Sequence, residues 1–272
     1  MAAWEIGPAD RPVDLIFTHA NGFNGRTYLS LLAPLADQLH ILVIDQRGHG
    51  RSTLPAEPEG RDDWYDLAGD LTSLLEVLDL NDVVLAGHSM GGTASVMAAN
   101  AMAGRVKSLA LFDPVILSPR VRANRHNTEM AHSPLVEGAR RRRSSFPSHA
   151  AAIAAYTGRG AFRTWPAQML ADYVADGFAA GPDGEVHLTC KPAWEVSNFT
   201  SQAHDSWAAL VDCPVPIDIL QAEQASTLRC DGHEDELAGK AHFTRNVIAG
   251  TSHFLPMERP DKVRELLLTA AL

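Results

Sequence analysis

The stretch Val83-Val84-Leu85-Ala86-Gly87-His88-Ser89-Met90-Gly91-Gly92 decides the fold class of this chain. Its first four residues form an apolar run typical of a buried strand, and the small residues that follow Met90 are typical of a closely packed helix. A serine flanked by glycines at such a strand-to-helix turn is held in a strained conformation that displays its hydroxyl group. We therefore predict a strand, a tight turn and a helix, with Ser89 as a nucleophile.

Length and composition exclude several classes of protein. The chain has 272 residues, of which 46% are hydrophobic, and this suits one large α/β domain or a core domain with an insertion. The formal net charge of −10 repels phosphates and anionic lipid, so we expect neither nucleic-acid nor membrane partners. The first residues lack the pattern of a signal peptide. We expect a cytoplasmic monomer or homodimer with a small-molecule substrate.

Cysteine and histidine spacing does not favour a metal site. The three cysteines are odd in number and lack C-x-x-C spacing, which predicts reduced, partly buried thiols. None of the twelve histidines lies in an H-E-x-x-H pattern. Gly48-His49-Gly50 lacks the further glycine and the acidic residue of a dinucleotide fingerprint. We therefore expect no metal and no cofactor.

Short apolar runs alternate with helical stretches along most of the chain, which predicts a mostly parallel, doubly wound sheet covered on both faces. The helix that follows the second strand shows an apolar stripe from Trp64 to Leu78. The predicted strands are Val13–Thr18, Ile41–Asp45, Val83–Ala86, Val106–Phe112, Pro216–Leu220 and Thr244–Ile248.

Residues 115–210, here called the insertion, are expected to form a helical cap or lid without strands, between core segments 1–114 and 211–272. Its run Arg140-Arg141-Arg142-Arg143 is read as a solvated helix face paired with nearby acids, with a polyanion site as the alternative. Its aromatic residues could line a pocket above Ser89 or pack its own small core: Tyr156, Phe162, Trp165, Trp194 and Phe199.

A serine hydroxyl needs a general base, and His253 has the position that fits one. It lies on the short loop Gly250–Phe254, after a predicted strand and before a helix opened by Pro260. Its place near the C-terminus fits the chain order serine, acid, histidine.

Four motifs in the expected order resemble the α/β-hydrolase superfamily, over nearly the whole chain. Gly87–Gly91 matches the nucleophile turn, and residues 252–260 resemble the segment around the family histidine. The other two are His19-Ala20-Asn21-Gly22-Phe23, which resembles the H-G-x-x-G oxyanion loop, and Asp45-Gln46-Arg47-Gly48-His49-Gly50-Arg51-Ser52, which resembles D-x-R-G-x-G-x-S. The resemblance implies the α/β-hydrolase fold with a cap insertion.

The resemblance also implies the site residues around Ser89 and His253. The backbone N–H groups of Asn21 and Met90 would stabilise the oxyanion, with Gly22 as the alternative to Asn21, because Ala20 replaces the usual glycine. The short stretch before the first predicted strand leaves little room for the N-terminal hairpin of many relatives, so we expect a truncated sheet edge.

The catalytic acid departs from the family pattern. Most relatives carry it after the strand that follows the cap, where this chain has Ala225. A minority carry it one strand earlier, where Asp113 stands, and we predict Asp113 as the acid. Glu223 is the alternative, followed by the acids of residues 231–235. Asp113 could instead simply start the turn into the insertion, since Asp-Pro pairs often begin turns.

These residues predict a cofactor-independent serine hydrolase that cleaves an ester, thioester or lactone of a small, mostly apolar molecule. Ser89 rather than aspartate at the nucleophile position excludes epoxide hydrolases and haloalkane dehalogenases. Two alternatives from the same superfamily are a cofactor-free ring-cleaving dioxygenase and a C–C bond hydrolase. A third is a ligand receptor that has kept the fold without the activity.

Overall fold

A computed structural model describes residues 1–123, 131–240 and 242–272. Its main feature is a seven-stranded sheet. The strands of this sheet are β1 Ala2–Ile6, β2 Leu15–Thr18, β3 Ile41–Asp45, β4 Val83–His88, β5 Val106–Phe112, β10 Ile217–Ala222 and β12 Phe243–Ile248. Their order across the sheet is β1-β3-β2-β4-β5-β10-β12, and all neighbouring strands pair in parallel except β1 and β3. The predicted mostly parallel fold and its six strands are confirmed: two strands have the predicted bounds, and the other four differ by at most two residues at either end.

Strand β1 was not predicted from the sequence. It pairs antiparallel with β3, from Ala2 opposite Asp45 to Ile6 opposite Ile41, and it alternates between half-buried and exposed residues. Its mixed composition, with alanines and a glutamate, carries little strand propensity. It forms one edge of the seven-stranded sheet.

Helices cover both faces of the sheet, and alternate residues of one strand enter different cores. Leu15 and Phe17 belong to one buried cluster, whereas Ile16 belongs to the other. The described helices are α1 Leu29–Leu32, α2 Tyr65–Val77, α3 Met90–Ala101, α4 Pro119–Ala123, α5 Pro134–Arg140, α6 His149–Tyr156, α7 Ala167–Gly177, α8 Pro192–Thr200, α9 Ser206–Val211, α10 Glu234–Ala238, α11 Leu255–Glu258 and α12 Pro260–Ala271. None of them is long and apolar enough to cross a bilayer.

The insertion is not purely helical, which corrects the expectation of a segment without strands. It contains a three-stranded antiparallel sheet of β7 (Ser145–Phe146), β9 (Val186–Leu188) and β8 (Phe178–Ala180). Two further strands, β6 (Ile116–Leu117) and β11 (Leu228–Arg229), pair in parallel. Strands of two or three residues are too short to show a period of two. Residues 124–130 of the insertion lie outside the described part of the chain.

The run of four arginines does not act as one surface. Arg140 and Arg141 pair with Glu137 on the solvated face, as expected. Arg142 instead turns inward, where it pairs with Glu195 at 2.8 Å and donates to the Tyr173 hydroxyl. The polyanion interpretation therefore fails for Arg142, because its charge is already compensated.

The three cysteines are free, as predicted. Cys190 and Cys230 are buried and Cys213 is partly buried. Burial raises the pKa of each of the three thiols.

Candidate active site

Ser89 joins β4 to α3 and has a strained backbone, with φ 57° and ψ −121°. A side chain at Gly87 would place its Cβ 2.3 Å from the Thr18 hydroxyl, and one at Gly91 would lie 2.6 Å from the Thr18 carbonyl oxygen. Strand β2 can pack this closely against β4 and α3 only because both positions lack a side chain. The two glycines therefore allow the turn that holds Ser89.

Ser89, His253 and Asp113 form a continuous hydrogen-bonded chain. His253 Nε2 lies 2.9 Å from Ser89 Oγ, and His253 Nδ1 lies 2.6 Å from Asp113 Oδ2. Because a carboxylate can only accept, the proton of the neutral imidazole is on Nδ1. Nε2 is then free to accept from the Ser89 hydroxyl, the geometry that a general base requires.

Asp113 is fully buried and is surrounded by hydrogen-bond donors. Its Oδ1 accepts from the Ala222 N–H at 3.0 Å and from the Ser226 hydroxyl at 2.6 Å, and its Oδ2 accepts from the Thr227 N–H at 3.1 Å. Burial raises the pKa of this carboxyl, but the hydrogen bonds from His253, Ser226 and Thr227 outweigh it, so the pKa lies below its usual value. We call Ser226 and Thr227 the hydroxyl cradle.

Sequence reasoning missed the hydroxyl cradle. The sequence did contain a signal for it, because two hydroxyl residues, Ser226 and Thr227, directly follow Ala225, the position at which the family pattern has its acid. Thr227 also donates its hydroxyl to the Asp113 carbonyl at 2.8 Å and so holds the backbone there. The loop in which the family pattern led us to expect an acid here supplies hydrogen-bond donors to Asp113.

The alternative acids lie elsewhere. Glu223 is exposed and accepts from the Gly250 N–H at 2.9 Å. Asp231 pairs with Arg229 on the surface, and Glu234 accepts from the Gly232 N–H. Within the described ranges, Asp113 is the carboxylate that hydrogen-bonds to His253.

The oxyanion loop differs from the expectation at one position. The Gly22 N–H donates to His49 Nε2 at 3.0 Å, so Gly22 is wrong as the alternative donor: its N–H is already engaged. In residues 1–123, 131–240 and 242–272, we find no hydrogen-bond acceptor for the N–H groups of Asn21 and Met90. Gly22 has φ 75°, whereas Ala20 is not among the residues with positive φ. The glycine missing at position 20 is thus supplied two residues later.

Two buried histidines hold this loop in place. His49 Nδ1 donates to the Arg47 carbonyl and leaves Nε2 to accept from Gly22. His19 Nδ1 donates to the Ala20 carbonyl, and its Nε2 accepts from the Gln46 N–H at 3.0 Å. Burial lowers the pKa of both imidazoles, which keeps them neutral in these roles.

A third buried histidine links three parts of the site. His88 Nε2 donates to the His253 carbonyl at 2.8 Å, because a carbonyl can only accept. Its Nδ1 therefore accepts from the Tyr28 hydroxyl at 2.7 Å, and that hydroxyl accepts from the Ala20 N–H at 3.3 Å. The Tyr28–His88 pair thus joins the oxyanion loop, the strand before Ser89 and the loop of His253.

The side chain of Asn21 connects the oxyanion loop to the insertion. Its Nδ2 donates to the Glu195 carbonyl at 2.9 Å, and its Oδ1 accepts from Asn198 Nδ2 at 2.8 Å. Both partners lie on α8, whose Asn198 also accepts from Arg61 at 2.6 Å. Asn21 therefore fixes the insertion against the loop that carries the expected oxyanion donor.

Three of the five aromatic residues singled out in the insertion lie together. Trp165 packs 5.0 Å from Phe23 and 6.0 Å from Phe254 between ring centroids, and Phe162 packs 4.9 Å from Trp165 and 4.7 Å from Tyr156. Phe254 directly follows His253. Trp194 and Phe199 belong to α8 instead, where the Trp194 indole donates to the Arg47 carbonyl.

One group of side chains has the spacing of a metal site within the described ranges. It comprises Asp183 and Glu185, at the turn between β8 and β9, and His187 on β9. Asp183 and His187 are exposed to about half and pair with each other at 2.9 Å. No hydrogen bond among the described residues connects this group to the Ser89 chain.

A family model described as the alpha/beta hydrolase family matches residues 15–266. This chain belongs to the alpha/beta hydrolase family. Over 99 residues it is 32% identical to 2-(acetamidomethylene)succinate hydrolase of Mesorhizobium japonicum, and the aligned segment covers 36% of this chain and 34% of that protein. Over 87 residues it is 36% identical to 3-oxoadipate enol-lactonase 2 of Acinetobacter baylyi, and the aligned segment covers 32% of this chain and 31% of that protein.

The matches to these alpha/beta hydrolases thus span about a third of their length. A solved structure of the family extends the similarity to the whole fold. The crystal structure of E-2-(acetamidomethylene)succinate hydrolase superposes with a TM-score of 0.80 at 22% identity, and it covers 97% of this chain and 92% of that chain.

Proposed function

We propose that this alpha/beta hydrolase is a serine hydrolase that cleaves a carboxylic ester, thioester or lactone of a small molecule through an acyl-enzyme. The observation that carries the proposal is the chain from Ser89 Oγ through the His253 imidazole to the buried Asp113 carboxylate. The similarity to 3-oxoadipate enol-lactonase 2 supports a lactone or related ester as the substrate class.

The chemistry follows from the tautomer of His253. Ser89 Oγ attacks the carbonyl carbon while its proton passes to Nε2, and Asp113 stabilises the resulting imidazolium through Nδ1–H. His253 then gives this proton to the leaving alcohol, thiol or ring oxygen, and the acyl group stays on Ser89. A water molecule, activated by the same Nε2, releases the acid and regenerates Ser89.

The N–H groups of Asn21 and Met90 are the oxyanion donors in this proposal. Met90 opens α3, so its N–H points out of the helix start, and Asn21 lies on a loop held by His19 and His49. Each such donor contributes roughly 3–4 kcal/mol to lowering the barrier.

We assign residues 115–210 the role of a cap over this site. Support comes from the shared core: Phe146, Phe162 and Trp165 of the insertion lie in the same buried cluster as Phe23 of the oxyanion loop. Substrate choice would then depend on side chains that the insertion contributes.

Labelling and turnover test the proposal together. A fluorophosphonate probe should modify the wild-type protein at Ser89, located by mass spectrometry, and p-nitrophenyl acetate should give an initial burst. Ser89→Ala should abolish both the labelling and the burst, whereas Ser95→Ala, a second buried serine on α3, is the control.

Two results would replace the proposal. Oxygen uptake with an N-heteroaromatic substrate that survives Ser89→Ala would indicate the cofactor-free dioxygenase. Absence of both labelling and turnover in a folded protein would indicate the receptor.

A further inference from the structure

Two hydrogen-bond donors in the aromatic cluster beside the site have no partner in the described part of the chain. The indole Nε1–H of Trp165 and the hydroxyl of Tyr156 are both inaccessible to solvent, and neither has a hydrogen-bond partner among the described residues. Trp165 itself is 8% exposed. A buried donor left unpaired costs about 1–3 kcal/mol, so such groups are rare unless a ligand or water completes them.

The position of Trp165 points to the substrate as the missing partner. Its ring packs against Phe23, two residues after Asn21, and against Phe254, directly after His253. It thus contacts both the loop of the expected oxyanion donor and the loop of the general base. A group bound at the Trp165 N–H would belong to a molecule whose reacting carbonyl is at Ser89.

Tyr156 continues the same cluster away from the site. It stacks on Phe162 at 4.7 Å, and Phe162 contacts Trp165 at 4.9 Å. The side chain between the two donor residues, Phe162, is therefore aromatic, which suits a flat or alkyl segment that carries an oxygen atom.

The charge of this region decides which acceptor fits. Arg142 also contacts the cluster, through the Tyr173 hydroxyl, but it is paired with Glu195 at 2.8 Å, and both side chains are largely buried, at 15% and 10% exposed. The pair is neutral. A substrate carboxylate would therefore add an uncompensated charge, and this costs several kcal/mol in a buried site. A carbonyl or amide oxygen adds none.

We propose that the substrate carries, beyond its scissile carbonyl, an uncharged hydrogen-bond acceptor that binds the Trp165 N–H and the Tyr156 hydroxyl. This inference rests on the proposed hydrolase function and replaces the mostly apolar substrate expected from the sequence. A site with buried donors discriminates strongly against analogues that lack the acceptor.

The test is a cycle of variants and substrates. The substrates are p-nitrophenyl esters of straight-chain acids, ketoacids of equal length with the ketone two, three or four carbons from the ester, and the matching diacid monoesters. Wild type should prefer one keto ester over its alkyl counterpart by about tenfold or more in kcat/KM. Trp165→Phe, which keeps a ring and removes the N–H, should reduce that preference to about twofold.

Tyr156→Phe and Tyr173→Phe form a matched pair. Tyr156→Phe removes an unpartnered hydroxyl, so the ligand-free protein should keep or gain thermal stability while the keto ester preference falls. Tyr173→Phe removes a partnered hydroxyl and should lower the thermal stability.

Three outcomes would overturn the inference: a preference for the diacid monoester, no preference for any keto ester, or an equal effect of Trp165→Phe on keto and alkyl esters. Fluorophosphonate labelling of Ser89 in the same samples separates these outcomes from a failure of the proposed function, because labelling requires the nucleophile and not the acceptor site.

Discussion

Ser89 and Asp113 occupy equivalent positions at the ends of neighbouring strands. The last paired residues of β4 and β5 are His88 and Phe112, and Ser89 and Asp113 each come next in the chain. The Ser89 N–H donates to the Phe112 carbonyl at 3.0 Å, and both Ser89 and Asp113 have left-handed backbones, with φ 57° and 43°. The sheet thus presents the Ser89 hydroxyl and the Asp113 carboxylate side by side, at the edge where parallel sheets collect functional groups.

The first prediction concerns the location of the acid. Asp113→Asn keeps the shape of the side chain, but it replaces the charged carboxylate that accepts from the His253 Nδ1–H with a neutral amide. We expect kcat to fall by about 10³–10⁴. Glu223→Gln is the control and should change kcat by less than about twofold, since surface changes are usually small. The opposite ranking in steady-state kinetics would move the acid to Glu223.

The second prediction concerns the hydroxyl cradle. Ser226→Ala leaves the buried Asp113 carboxylate with one donor fewer, which should cost about 1–3 kcal/mol in the free energy of unfolding. The folded-state pKa of Asp113 lies below its unfolded value, so the destabilisation caused by Ser226→Ala should have its full size above pH 5. It should shrink as the pH falls below 4, because the carboxyl then protonates. Urea titrations across pH measure it.

The exposed residue Thr244 provides the control for the cradle, as Thr244→Ser should leave stability unchanged. A loss for Ser226→Ala that is the same at all pH values would show a packing effect rather than support of a charged carboxylate.

The third prediction is a loss of stability in mild acid. Burial lowers the pKa of His88 to about 3 and that of His204 to about 4. Below pH 6.5 the unfolded chain binds protons at these residues and the folded chain does not, so stability is lost as the pH falls. Each histidine should contribute roughly 1 kcal/mol per pH unit between pH 6 and pH 4.5.

Variants assign this acid sensitivity to single residues. His204→Gln should reduce the pH dependence of the urea midpoint, whereas His132→Gln, at an exposed position, should not. An unchanged slope for His204→Gln would mean that this residue is protonated in the folded state.

The fourth prediction concerns the Tyr28–His88 pair. Tyr28→Phe leaves His88 Nδ1 and the Ala20 N–H without the hydroxyl that joins them, so we expect about 1–3 kcal/mol of destabilisation. Because the same hydroxyl connects the oxyanion loop to the His253 loop, kcat should fall by about tenfold while KM changes little. Tyr65→Phe, at a position 56% exposed, should change neither. A purely structural role would leave kcat per folded molecule unchanged.

The fifth prediction separates strain from activity. Ser89→Gly and Ser89→Ala both remove the nucleophile, but only glycine relieves the positive φ of 57°. Strain of this kind destabilises the folded state by of order 1–3 kcal/mol. Glycine relieves it, but its greater freedom in the unfolded chain offsets about 1 kcal/mol of that gain. Ser89→Gly should therefore have the higher thermal midpoint, and the reverse order would show that the turn is unstrained.

The sequence was sufficient for those parts of the fold that depend on local pattern. The core strands are apolar runs bounded by turn residues, and the Ser89 turn carries its own glycines, so both were predictable. Strand β1 was not, because its pairing with β3 decides its structure rather than its composition. The short strands of the insertion were not predicted because two or three residues are too few to show a period of two.

In the site, too, features set by local motifs were predictable and features set by residues distant in sequence were not. Ser89, His253 and Asp113, chosen from motifs and chain order, lie in hydrogen-bonding sequence in the structure, and their roles stay predictions that the variants above test. The engagement of Gly22 by His49 could not be foreseen, since it joins residues from two loops. The inward turn of Arg142 depends likewise on a partner, Glu195, that is distant in sequence.

The hydroxyl cradle restricts which side chains can replace Ser226. A carboxylate in place of the Ser226 hydroxyl would meet Asp113 Oδ1 at a distance where the serine now hydrogen-bonds, 2.6 Å. Two buried carboxylates this close repel, and one must take up a proton. A carboxylate at position 226 is therefore compatible with a charged Asp113 only if it is itself protonated, so the charge at position 113 depends on an uncharged hydrogen-bond donor at position 226.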